Sequence, residues 1–218
     1  MDLLHALRTN AAVREFADEP ITDEVLGKLL DTARFAPSGG NRQPWRVAVI
    51  RDAALRRSLA DLCSPVWSEY VAMGSTGHTP FNVVDAPDEV PDLGPQANPL
   101  LDRVEQVPAV LVVAADLALV AMMDKDLDRV PLTGGASVYP FVYSLLLAAR
   151  DAGLGGVMTT FLARAEREAS GLLGLPDSWA VASMVFLGRP KGDPPTKLTR
   201  KPVVSFTTVD RFDGPAFA

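Results

Sequence analysis

The residues from Ala36 to Trp45, APSGGNRQPW, bring together several side chains and backbone groups able to hold a ligand. Ser38, Gly39 and Gly40 can expose backbone N–H groups and let a ligand approach the main chain closely. Asn41 and Gln43 each carry a donor and an acceptor, which suits a heteroaromatic ring bearing carbonyls and ring nitrogens. The same residue types also make an ordinary helix-to-strand turn, in which Ser, Gly and Asn serve turn geometry alone. The residues by themselves leave both readings open.

The remaining chemistry-bearing residues are few. There is no G-x-x-x-x-G-K-[ST] phosphate loop. Gly153-Leu154-Gly155-Gly156 starts like a dinucleotide fingerprint, but Met158 stands where its last glycine belongs, and the run follows a helix pattern rather than a strand. His5 and His78 lack metal-ligand spacing and read as surface residues, so no metal site is expected. Cys63 closes an apolar helix face and reads as a buried, inert thiol. No Ser/His/Asp arrangement is visible. No residue is assigned as a catalytic acid, base or nucleophile, and an enzyme of this sequence takes its chemistry from a bound cofactor.

The elements that must position the loop follow from periodicity. Residues 22–35 predict a helix with Thr22 as N-cap, Asp23 and Glu24 in its first turn, and Val25, Leu26, Leu29, Leu30 and Ala33 on one face. Pro37 ends it. Residues 45–50 (WRVAVI) predict a strand and 53–63 a second helix. Residues 64–107 are punctuated by Pro65, Pro80, Pro87, Pro91, Pro95 and Pro99 and show little periodicity, which predicts a lid or excursion. Strands are predicted at 108–115, 155–160 and 180–187, and helices at 137–152 and 163–174. The helix at 137–152 is apolar all round, as in a central helix or one shared with another subunit.

The chain has 218 residues, 48% hydrophobic and 22% charged, with a net charge of −6. That suits a single domain over residues 1–218 and argues against a nucleic-acid or anionic-membrane surface, both of which call for a basic face. One cysteine permits no internal disulfide and fits the cytoplasm. No segment approaches about 18 uninterrupted apolar residues, and the N-terminus has no signal-peptide pattern.

Several motifs, in order along nearly the whole chain, resemble the nitroreductase family of FMN-dependent oxidoreductases. AVREFADEPI (12–21) is similar to the family's opening motif, and APSGGNRQPW to its flavin-binding loop. YPFVYSLLLAARDAGLGG (139–156) resembles its central helix and glycine turn, and LLGLP, FLGRP and TRKP complete the series. The resemblance implies an α+β, three-layer fold assembled as an intertwined homodimer, with FMN sites at the subunit interface. It also implies that NAD(P)H reduces the flavin and that a nitroaromatic, quinone or similar acceptor removes the electrons. It carries cofactor-binding roles to Arg14, Pro37, Ser38, Gly39, Asn41, Gln43, Met158, Thr159, Thr160, Arg200 and Lys201. Arg14 would lie near the pyrimidine end or ribityl chain, Arg200 and Lys201 at the phosphate, and Met158 to Thr160 at the reactive edge of the ring.

Two departures qualify the resemblance. Asn10 and Ala11 stand where the family has arginine at one or both positions, and Tyr143-Ser144 where it has Gln-Asn. The first leaves the phosphate to Arg200, Lys201 or a shifted Arg8. Alternatives are therefore the same fold using another flavin, such as a deazaflavin, or a flavin-binding dimer without catalysis.

Overall fold

The apolar run between Pro108 and Asp116 becomes a central strand covered on both faces, and the rest of the chain is arranged around it. The structure, a computed structural model, describes residues 2–193 and 195–217. In chain order the elements are α1 (Leu3–Thr9), α2 (Asp23–Ala33), β1 (Trp45–Ile50), α3 (Ala53–Ser75), α4 (Pro99–Asp102), β2 (Ala109–Asp116), α5 (Tyr139–Asp151), β3 (Gly155–Thr159), α6 (Glu166–Leu173) and β4 (Trp179–Gly188).

The four strands form one sheet in the order β1-β2-β4-β3, and every neighbouring pair is antiparallel. In β2 every residue from Ala109 to Ala115 is buried. A strand apolar on both sides needs a layer on each face. On one face α2 and α5 supply Leu26, Leu29, Ala33, Phe141, Val142 and Leu145 against Leu111, Val113 and Val185. On the other, α3, α4 and α6 supply Leu59, Cys63, Leu101 and Ala169 against Val110, Val112 and Met184. This helix–sheet–helix stack is the expected α+β, three-layer arrangement.

The structure corrects the expected end of the second helix. α3 does not stop at 63 but runs to Ser75, with Pro65 inside it. An internal proline removes one helical hydrogen bond and ordinarily costs about 3 kcal/mol. Pro65 and Asp61, whose carbonyl loses its donor, both sit on the exposed side of the helix, where water replaces the bond. On the opposite side Leu59, Cys63 and Val66 are buried and hold the helix on the sheet. The irregular stretch accordingly narrows to 76–98 before α4. It is strapped to α3 where the Gln96 N–H donates to Ser68 Oγ (2.9 Å) and the Trp67 indole to the Ala97 carbonyl (3.0 Å).

Three further differences follow from local chemistry. Sequence periodicity did not reveal α1, which is only seven residues long and exposes Leu3 and Leu4. Its buried Thr9 accepts from Arg150 Nη2 (3.1 Å), which ties it to α5. α5 begins at Tyr139, after a 3-10 turn over 133–137. It is not enclosed on all sides within the protomer, because Tyr139 and Tyr143 are exposed on the face opposite Phe141 and Leu145.

Cys63 is fully buried, and burial pushes its thiol up to about 12. Because the thiolate is the reactive form, the native protein is expected not to react with a disulfide reagent at pH 8. One equivalent should titrate only after denaturation, and rapid native labelling would refute this assignment.

Among the described residues no helix is long and apolar enough to cross a membrane. No group of three or more His, Cys, Asp or Glu among them could hold a metal ion.

Candidate functional site

The APSGGNRQPW loop joins α2 to β1 and takes an unusual path. Gly40, Asn41 and Gln43 all have left-handed backbones, with φ of 60°, 54° and 49°. Gly tolerates this freely and Asn moderately, but Gln does not. Residues held there cost of order 1 kcal/mol or more and persist only where surrounding structure imposes them.

The imposing contacts are visible. The Gly39 N–H donates to Ser137 Oγ (3.1 Å), the Gln43 N–H to Ser38 Oγ (2.9 Å) and the Asn41 N–H to the Ser38 carbonyl (2.9 Å). Arg42 donates back to the Gly39 carbonyl (3.0 Å). At the exit, the buried Trp45 stacks on Phe141 of α5, with centroids 4.9 Å apart. The Asn41 and Gln43 side chains are exposed, and the Gln43 amide makes two long contacts of 3.3 Å, to the Asn41 side-chain oxygen and to the Asn41 backbone carbonyl.

Ser137 was not singled out from sequence, since it lies 98 residues from its partner in an ordinary-looking TGGAS run. It is buried in the turn that opens α5. That turn is fixed in its own right by Asp124, also buried. Asp124 accepts from the Thr133 hydroxyl (2.6 Å), the Leu132 N–H (2.8 Å), Arg129 (2.7 Å) and the Thr133 N–H (3.2 Å). These bonds, the Thr133 hydroxyl first, hold its carboxyl far below the usual carboxylate range.

Met158, Thr159 and Thr160 lie at the end of β3, on the other edge of the sheet, whereas Arg14 lies in the segment that passes the start of β3 and the end of β4. The extended segment at 12–16 runs beside β3, with a parallel bridge between Ala12 and Gly156 and the Val13 N–H on the Gly156 carbonyl (3.0 Å). The approach is tight enough that a Cβ on Gly155 would lie 2.5 Å from Val13 Cγ2. Arg14 is exposed, and no side chain among the described residues pairs with it. Met158 is 37% exposed, whereas Thr159 Oγ1 is buried with no hydrogen-bond partner among the described residues.

The predicted residues therefore fall into two sets. Because the strands alternate in direction, the start of β1 and the end of β3 lie at one end of the sheet. They occupy opposite edges, three strand spacings or roughly 14 Å apart. Pro37, Ser38, Gly39, Asn41 and Gln43 form one set and Met158 to Thr160 the other, while Arg14 stands apart from both, beside the start of β3. Arg200 lies in the tail, in a cavity of about 530 Å³ lined also by Leu7, Arg8, Thr196, Lys197 and Leu198. Lys201, exposed, is not among its lining residues. Asn10 and Ala11 line a separate small recess with Arg150 and Leu154.

The mixed three-layer fold is shared with solved structures of other proteins. The NADPH:FMN oxidoreductase from Vibrio harveyi complexed with NAD+ matches with a TM-score of 0.69 over 96% of this chain and 77% of that one, at 21% identity. The nitroreductase family model matches residues 7–189, and the chain belongs to the nitroreductase family. Among its relatives, an Archaeoglobus fulgidus protein with a provisional NADH dehydrogenase/NAD(P)H nitroreductase name is 28% identical, covering 88% of this chain and 87% of its own. A 5,6-dimethylbenzimidazole synthase from Rhodospirillum rubrum is 28% identical over 84% of this chain and 79% of its own.

Proposed function

We propose that the chain is an FMN-dependent oxidoreductase whose site is completed by a second copy of itself. The observation that carries this reading is the separation of the two sets of polar groups. The loop at 37–43 and the β3 edge are too far apart across one sheet to grip one ring, but a homodimer can bring the loop of one protomer to the β3 edge of the other. The exposed Leu3, Leu4, Tyr139, Tyr143, Phe206 and Phe212 are surface that such a partner would cover.

The residues suit a flavin in kind. Asn41 and Gln43, strained into position with their amides exposed, would bind ring carbonyls and nitrogens. The Ser38 hydroxyl accepts from Gln43 N–H within the loop, which leaves its own proton to donate. Arg14 would set a positive charge where reduction accumulates negative charge. The buried, unpartnered Thr159 Oγ1 and the backbone at Met158 to Thr160 would face the reactive edge. When bound, FMN supplies the redox chemistry, accepting hydride from NAD(P)H and passing electrons to a nitroaromatic, quinone or similar small acceptor. The stretch at 76–98 would act as the lid of one domain spanning the chain. The setting is a reducing cytoplasm, in keeping with a single buried thiol.

The test is a spectrum and a mass. The purified protein should show flavin absorbance, bleached by NADH or NADPH and restored by a quinone or nitroaromatic. Light scattering at micromolar concentration should give twice the 23.3 kDa chain mass, consistent with an interface above about 2,000 Å². A monodisperse monomer, or an apoprotein that takes up no FMN, would overturn the reading. The non-basic Asn10 and Ala11 favour one other reading, a deazaflavin ligand, for which uptake of a deazaflavin in preference to FMN would be the sign.

A further inference from the structure

The backbone of Gln43 is gripped at both of its polar groups. Its N–H donates to Ser38 Oγ, and its carbonyl accepts from Arg46 Nη1 (3.2 Å). Arg46, on β1, is itself fixed by the neighbouring strands. Its guanidinium lies 5.4 Å from the Trp179 ring centroid and 4.0 Å from Asp116 Oδ2. Those two residues face each other in the register of β4 and β2. The Asp116 N–H also donates to the Pro44 carbonyl (2.9 Å). The sheet therefore holds the exit of the loop at two successive carbonyls, those of Gln43 and Pro44.

The entry of the loop is held from the helix layer. Ser137 Oγ accepts from the Gly39 N–H, and the turn that carries Ser137 is set by Asp124, each of whose carboxylate oxygens accepts two bonds. Two of its partners, Leu132 and Thr133, stand where that turn begins. Between the two grips Gly40, Asn41 and Gln43 keep their left-handed backbones, and the amides of Asn41 and Gln43 stay exposed. The grips at Gly39, Gln43 and Pro44 are all on backbone groups, so they fix the shape of the loop and leave both amides outside the clamp. Groups held in place before a ligand arrives lose less freedom when it binds, and such geometry depends on supporting residues around them.

We infer that Ser137, Arg46 and Asp124 are positioning residues, which hold the Asn41 and Gln43 amides in the geometry that receives the flavin ring. Asp124 acts through Ser137. The inference rests on the flavin reading above, and none of the three is among the residues which that reading places on the ligand.

Two measurements test it, the first without ligand. Hydrogen exchange in the apoprotein should show the Gly39 and Gln43 amides protected. Protection at Gly39 should fall in Ser137→Ala and Asp124→Asn, and protection at Gln43 in Arg46→Ala. The second measurement is flavin titration. Ser137→Ala and Arg46→Ala should each weaken FMN and riboflavin by the same factor, roughly fivefold, as for one lost hydrogen bond. Asp124→Asn, in which one oxygen becomes a donor, should give a similar loss that does not add to that of Ser137→Ala. In an Asn41→Ala/Gln43→Ala background the three substitutions should weaken binding no further, because the loop has no amide left to position. A residue that only supports the fold would have the same effect in both backgrounds. That equal effect overturns the inference and leaves the flavin reading standing. So does unchanged flavin affinity in Arg46→Ala, whose side chain is 41% exposed and puts folding at little risk. Free exchange of the Gly39 and Gln43 amides in the wild-type apoprotein also overturns it. A wild-type apoprotein that binds neither flavin overturns both.

Discussion

Gly156→Ala is expected to destabilise the protein by about 3 kcal/mol, at the upper end of what forced overpacking produces. A Cβ at Gly156 would sit 2.5 Å from the Phe186 carbonyl oxygen and 2.5 Å from Leu187 Cδ2. Leu187 can turn aside, but the carbonyl belongs to the backbone of β4, the strand that pairs with β3. Relief requires the edge strand to shift, and Met158 to Thr160 shift with it. At this chain length the melting temperature should fall by roughly 6–12 °C. Gly27→Ala supplies the opposite sign. Gly27 lies inside α2, with nothing within 4 Å of its would-be Cβ. There alanine favours the helix and restricts the unfolded chain, raising stability by up to about 1 kcal/mol. Thermal melts of the two variants decide the matter. A Gly156→Ala protein as stable as wild type would mean that β3 is not held against β4 as described.

That contrast also marks what the sequence could convey. Strand β1 was readable to the residue, because WRVAVI is bounded by Pro44 and Asp52 and has strand-forming side chains. The α2 boundaries were nearly so, because Thr22 does cap the helix, its Oγ1 accepting from the Val25 N–H (3.3 Å). The helix past Pro65 was not readable, because a proline stops a helix in isolation and only the packing of Leu59, Cys63 and Val66 on the sheet outweighs it. Nor was α1, whose seven residues give too few turns for a pattern to emerge.

The site divides in the same way. The loop was legible from residue types, but its brace, Ser137, was not, since a hydrogen bond over 98 residues leaves no local trace. The cluster around Arg200 was legible only as isolated charges. Which cations share a cavity, Arg8 and Lys197 rather than Lys201, depends on how the tail returns to α1. The strand order is a further case, because no pattern in the chain says that the loop and β3 lie on opposite edges.

Gln43 should reveal whether the loop's strain serves a ligand. Its φ of 49° is unfavourable for a side chain with a Cβ, and glycine would remove that penalty of order 1 kcal/mol. Against this stands glycine's larger entropy in the unfolded chain, roughly 0.5–1 kcal/mol. Gln43→Gly should therefore leave the apoprotein as stable as wild type or slightly more so. Gln43→Ala keeps the strained backbone and loses only two long, exposed contacts of 3.3 Å, to the Asn41 side-chain and backbone carbonyls, so its stability should change by less than about 0.5 kcal/mol. Both variants remove the same amide from the ring, and both should weaken flavin binding roughly tenfold, the worth of one or two buried hydrogen bonds. A turn-forming role gives the reverse pattern, with stability falling and affinity holding. Flavin titrations and apoprotein melts on the two variants separate these outcomes, because a residue kept for the turn has no reason to be glutamine in a conformation that glycine fills more easily.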